Sequence, residues 1–222
     1  CIDAAACNLG LKVNFTSNAF DGKLDSSWVF NSFNEFVKLH VNSDVKLHEY
    51  ISTNHKDNVI VVPNIDYNFG FVNGAVCSDG THIRKIQLQL VRKILEILKT
   101  KEIELITEKD ILSNLSIFCS TFIINPDYDS QAKDKLTNKL LPQTLSLSLQ
   151  FLDSLKDSEI VKNLVDFYNI KYLAEQKKNL KKLNATLKTT KSKKLVGCSS
   201  NDFSKNELWL FEGTSASNGF DY

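Results

Sequence analysis

The stretch Leu115 to Ile124 reads Leu-Ser-Ile-Phe-Cys-Ser-Thr-Phe-Ile-Ile and stops at Asn125-Pro126. A near-continuous apolar run of this length, bounded by turn residues, is the pattern of a strand covered on both faces. Before it, Ile83, Ile86, Leu90, Val91, Ile94, Ile97 and Leu98 recur at helical spacing between Thr81 and Lys99, with lysine and arginine on the other side. That periodicity predicts an amphipathic helix, and a shorter helix is expected after Thr107. Further upstream, Asn58 to Val62 and Phe69 to Val76 are strand-like and are separated by Pro63-Asn64 and a polar turn containing tyrosine. They are predicted to form a hairpin or neighbouring strands, with Ser78-Asp79-Gly80 closing the second. Strand, helix, strand then implies a right-handed crossover.

The flanks are simpler. Cys1 to Phe15 reads as an Ala-rich helix end, a stop at Gly10 and a short strand from Leu11. After a polar turn at Asp21-Gly22, Phe30, Phe33, Phe36, Val37 and Val41 suit a short amphipathic helix within Trp28 to Val41. Beyond Gln143 the pattern is helical over Leu145 to Leu155 and again over Glu159 to Leu183. Between Lys171 and Lys194 there are nine lysines and one acid, Glu175. Glu207 to Phe211 is expected as a short strand.

Composition removes whole classes of function. The chain of 222 residues, 42% hydrophobic and 24% charged, has enough apolar side chain to bury a core, which excludes disorder throughout. A net charge of +1 excludes a uniformly basic coat and leaves phosphate binding to local tracts. No apolar run reaches the roughly 18 to 20 residues that span a bilayer, so no membrane partner is expected. The five cysteines are scattered, without a Cys-x-x-Cys pair to hold zinc, and read as reduced structural thiols of a cytoplasmic protein. The absence of methionine and the opening at Cys1 predict a piece of something larger. Only Arg84 and Arg92 stand among many lysines, and 21 asparagines fit an AT-rich genome such as a viral one.

Four places carry side chains with possible chemistry. In Asp129-Ser130-Gln131-Ala132-Lys133, residues two apart on an extended segment project to one side, so Gln131 and Lys133 could reach one target. An amide and an ammonium suit phosphate oxygens; a polar surface loop containing a lysine is the alternative. Gly80-Thr81-His82 opens a helix, where free N–H groups favour an anion, although glycine is also a good turn residue. His82 there fits a structural hydrogen-bonding role better than that of a ligand or base. Glu212 follows a strand, where open sheets place ligands, but one carboxylate does not hold magnesium unaided. The lysine tract could neutralise nucleic-acid phosphates or simply be solvated.

In order, these pieces resemble the ATPase subunit of type IIA DNA topoisomerases, and most closely its T-even-type bacteriophage branch. Cys1-Ile2-Asp3-Ala4-Ala5 resembles the closing helix of the GHKL-type ATPase domain. Phe69-Gly70-Phe71-Val72-Asn73-Gly74 with Gly80-Thr81-His82-Ile83 resembles the transducer signature, and Asn125-Pro126 followed by Asp129 to Thr137 is similar to the QTK loop and its flanks. The resemblance implies an α+β fold: a transducer-type βαβ unit with a mixed sheet backed by helices, then a long basic helix and the first strand of a TOPRIM domain. It implies domain limits of 1–18 for the end of the ATPase domain, 19–150 for the transducer, 151–200 for a basic helical linker and 201–222 for the start of TOPRIM.

The same resemblance makes Lys133 a switch lysine reaching the γ-phosphate of ATP, with Gln131 beside it, and Ala132 a departure from the usual threonine. Glu212 would match the metal-site glutamate for Mg2+, while Thr214 replaces the expected aspartate. Lys177, Lys178, Lys181 and Lys182 would lie along duplex DNA. The implied partners are an N-terminal ATPase domain, a DNA-cleavage domain or subunit, and a second copy in a homodimer. The piece alone is expected to be inactive, and Tyr222 has no support as a cleavage nucleophile. Two other readings remain open: a stand-alone nucleic-acid-binding or scaffold module that keeps the fold, and a relative in the GHKL mismatch-repair branch.

Overall fold

Val59 and Val61 face one side of their strand and pack with one core, Ile60 and Val62 face the other and pack with a second, and all four are fully buried. Each such aliphatic side chain contributes about 1.5–3 kcal/mol when withdrawn from water, so a sheet with two covered faces explains the unbroken apolar runs. The computed structural model describes residues 1–20, 22–42, 44–53, 56–63, 67–142, 145–189, 197–198, 200, 202–210 and 212. They fall into two compact units, Cys1–Ala174 and Glu175–Tyr222.

The first unit begins with α1 (Ile2–Cys7), β1 (Val13–Phe20), β2 (Gly22–Trp28), α2 (Phe33–Val37), β3 (His48–Ile51) and β4 (Asn58–Pro63). It continues with β5 (Phe69–Val72), β6 (Ala75–Val76), β7 (Asp79–Gly80), α3 (Thr81–Lys99), α4 (Glu108–Ser113), β8 (Leu115–Thr121), β9 (Lys135–Leu136) and α5 (Leu149–Ser154). The long helix α6 (Glu159–Thr189) runs from this unit into the second.

The main sheet has the order β3-β4-β8-β5-β6. β8 runs antiparallel to β4 and parallel to β5, so the sheet is mixed and α3 and α4 lie in the crossover between two parallel neighbours. Contrary to the expected pairing, β4 and β5 are not neighbours, because β8 takes the central place between them. Phe69 to Val76 is likewise not one strand. Asn73 and Gly74, at φ 52° and 82°, turn it into the hairpin β5–β6, a left-handed pair that suits a tight turn.

One face of the sheet, through Val59, Val61, Ile117 and Cys119, packs on α3, α4, α5 and the start of α6. The opposite face, through Ile60, Phe71 and Phe118, packs on Phe33, Phe36 and Val37 of α2 and Ala5 and Ala6 of α1. α3 has the predicted limits. α4 starts with a capping box: the Asp110 N–H donates to Thr107 Oγ1 at 3.2 Å and the Thr107 N–H donates to Asp110 Oδ2 at 2.8 Å. α2 is shorter than expected because Trp28 is paired with Val13 in the β1–β2 hairpin and the helix begins only at its Ser32 cap.

In the second unit, the expected strand at Glu207 to Phe211 does not form over residues 207–210; Phe211 lies outside the described residues. Leu208, Trp209 and Leu210 are exposed there, and no described strand pairs with them to complete a ladder. Thr214 and Tyr222 also lie outside the described residues.

Candidate functional site

Gln131 and Lys133 sit at the tip of a narrow hairpin after β8. Tyr128 bridges Leu136 antiparallel, the Asp129 N–H donates to the Lys135 carbonyl at 3.2 Å, and the Thr137 N–H donates to the Asp127 carbonyl at 2.8 Å. Asn138 locks the base: its Oδ1 accepts from the Asp127 N–H at 2.8 Å and its Nδ2 donates to the Asn125 carbonyl at 3.0 Å. Nothing in the sequence marked Asn138 for this role.

The tip is a turn over Ser130 to Lys133, closed by the Lys133 N–H on the Ser130 carbonyl at 3.2 Å. The segment is therefore not extended, and Gln131 and Lys133 are not placed on one side by strand geometry as expected. Both side chains are nevertheless exposed. Lys133 lies in the left-handed region at φ 62°, a conformation that normally selects glycine or asparagine. Its ammonium stands 6.0 Å from the centre of the Tyr128 ring and makes no ion pair or hydrogen bond among the described residues.

The stem of this hairpin is tied to the start of α3. β9 pairs in parallel with β7, Asp79 opposite Lys135 and Gly80 opposite Leu136. Gly80, at φ 123°, is the N-cap of α3, and a β-carbon there would collide with the Leu136 main chain. The Lys135–Asp79 ion pair at 3.7 Å joins two exposed side chains and contributes little by itself. The close backbone packing of Gly80 on Leu136 buries the N-cap residue itself.

His82 is fully buried and its Nε2 bonds to the Cys77 carbonyl at 3.0 Å, so that nitrogen carries the proton. Burial pushes its imidazolium form down, with the Cys77 bond opposing, and the ring is neutral and structural. Burial also raises the Cys77 thiol to about 11 and the Cys119 thiol still further, so neither is a nucleophile at neutral pH. All five cysteines are free. Glu212 is exposed, and among the described residues no three His, Cys, Asp or Glu side chains converge as a metal site. Lys177, Lys178, Lys181 and Lys182 are all exposed on α6, and their spacing puts them along one side of the helix. Among the described residues no helix is long and apolar enough to cross a membrane.

The fold has solved counterparts. The ATPase and transducer domains of DNA topoisomerase II from Balamuthia mandrillaris superpose with a TM-score of 0.59 at 24% identity, covering 77% of this chain and 43% of that one. The 43K ATPase domain of Thermus thermophilus gyrase B gives 0.57 at 16% identity, covering 80% and 54%. The fold is thus that of a type II topoisomerase ATPase and transducer region. The model of the family DNA gyrase B matches residues 32–184, and the chain belongs to that family.

Among curated relatives, the DNA gyrase B protein of Thermotoga maritima is 27% identical over 93% of this chain and 37% of its own length. DNA topoisomerase 2 of Saccharomyces cerevisiae is 30% identical over 54% of this chain and 8% of its own length. The chain therefore spans well under half of the relatives it matches. Membership of the gyrase B family places it in the topoisomerase branch rather than the mismatch-repair one.

Proposed function

We propose that this chain is the coupling segment of an ATP-dependent type IIA DNA topoisomerase, passing the nucleotide state of an ATPase domain toward the DNA-cleaving machinery. The observation that carries the reading is the continuous path from Lys133 to α3: an exposed ammonium on a turn, a stem one strand-pair long, and a ladder that ends on the N-cap of the helix. Lys133 and Gln131 would contact the terminal phosphate of ATP held by the ATPase domain. ATP supplies the free energy of phosphoryl release. The side chains' part is to dock the turn on negative charge, and the paired backbones of Leu136 and Gly80 transmit that displacement to α3 as a rigid-body shift.

Several finer points belong to the same reading. Residues 1–18 would close the ATPase domain, 19–150 form the transducer, 151–200 the basic linker and 201–222 the start of a TOPRIM domain. Lys177, Lys178, Lys181 and Lys182 would face the transported duplex, with a salt-dependent affinity from phosphate neutralisation. The working unit would be a homodimer in the cytoplasm, host cytoplasm for a phage-encoded enzyme. Glu212 alone does not make a Mg2+ site.

The test is ATP-dependent strand passage by the complete protein on supercoiled plasmid. Lys133→Ala is expected to abolish passage and Gln131→Ala to weaken it. Full passage by Lys133→Ala would overturn the reading.

A further inference from the structure

A concave feature lies along α3, between the helix and the segment that follows the hairpin base. It is a groove of about 600 Å³ whose walls include Arg84, Lys85, Leu88, Arg92, Lys139 and Leu140. Arg84, Leu88 and Arg92 follow one another at four-residue intervals, so they form a single stripe with the two guanidinium groups' backbones about 12 Å apart. These are the only arginines among 27 Lys and Arg residues. A chain that otherwise places lysine at every cationic position has put both planar, bidentate donors on one groove.

The groove is strongly one-signed. No Asp or Glu lines it, and Arg84, Arg92 and Lys139 make no ion pair or hydrogen bond among the described residues. Its apolar part is just as unpartnered: Leu140 is 90% exposed and Leu88 43% exposed. The far wall is fixed, because Gln89 donates to the Leu145 carbonyl at 3.0 Å and accepts from the Leu147 N–H at 2.8 Å, while Lys85 donates to the Pro142 carbonyl at 2.9 Å.

We propose that this groove docks an extended acidic segment of a partner protein, its carboxylates paired with Arg84 and Arg92 and its aliphatic side chains seated between Leu88 and Leu140. Charge complementarity selects an anion, and the guanidinium fork matches carboxylate geometry in two parallel hydrogen bonds. The leucines select a peptide over nucleic acid. A sugar-phosphate backbone offers two leucines only the small methylene edges of its sugars, and no aromatic ring lines the groove for a base to stack on. The inference is independent of any role for Lys133.

The probe is a random-peptide display library selected on the whole chain, followed by anisotropy titration of the enriched peptides. Selected peptides should combine several Asp or Glu with Leu or Ile. Their affinity should fall at least tenfold in the Arg84→Ala/Arg92→Ala double variant and stay unchanged in Lys177→Gln, with circular dichroism confirming that both remain folded. Enrichment without acidic residues, or equal binding by the double variant, would overturn the proposal. So would displacement of the peptide by duplex DNA in a manner that depends on Arg84 and Arg92, which would assign the groove to nucleic acid.

Discussion

The side chain of Asn73 holds Ile123 by both edges of its backbone: Asn73 Nδ2 donates to the Ile123 carbonyl at 2.8 Å, and the Ile123 N–H donates to Asn73 Oδ1 at 2.8 Å. The turn of the β5–β6 hairpin is thereby fastened to the chain just after β8, where the run toward the Lys133 hairpin begins. Asn73→Ala removes both bonds beside a buried residue and is expected to cost about 2 kcal/mol of folding stability. Urea denaturation would measure it as a lower midpoint at unchanged slope.

Lys133 occupies a backbone conformation that disfavours it. Replacing it with glycine should relieve about 1 kcal/mol of left-handed strain, partly offset by the greater freedom of glycine in the unfolded chain. The expected result is a Lys133→Gly variant at least as stable as the parent in thermal unfolding.

Gly80→Ala tests the contact between hairpin stem and helix. The new methyl group would meet the Leu136 backbone at a φ that alanine avoids, and the loss should be about 3 kcal/mol. The same denaturation experiment applies. A neutral outcome would mean that β7 and β9 are not held together as described.

Asp110 links α4 to α6. It accepts from Lys171 Nζ at 2.8 Å and from the Thr107 cap, and these interactions, the Lys171 bond foremost, hold its carboxyl at about 2 rather than 3.8. A depressed folded value stabilises the protein above the unfolded one. That contribution is present at neutral pH and is lost as pH falls from about 4 through about 2. Carboxyl chemical shifts should follow the low titration directly, and Lys171→Met should raise it toward the ordinary range.

Where the sequence was legible, local and global signals agreed. α3 could be read to the residue because its buried stripe, from Ile83 to Leu98, is unbroken, whereas for α4 only its place after Thr107 could be read. β8 was legible as a buried strand, but its central position was not, since periodicity does not say which neighbours a strand takes. The β7 and β9 strands are two residues each and exist only through tertiary pairing. The candidate site followed the same division. Gln131 and Lys133 could be named from residue type and from family likeness. Their turn geometry was hidden, because a lysine occupies the left-handed position where glycine or asparagine would have announced it.

Steady-state ATP hydrolysis by the complete protein bears most directly on the path from Lys133 to α3. With Lys133→Ala, turnover should fall by about a hundredfold or more, the scale seen when one aimed donor to developing negative charge is removed, while Lys109→Ala on the surface of α4 leaves it unchanged. Wild-type turnover in Lys133→Ala would contradict the account.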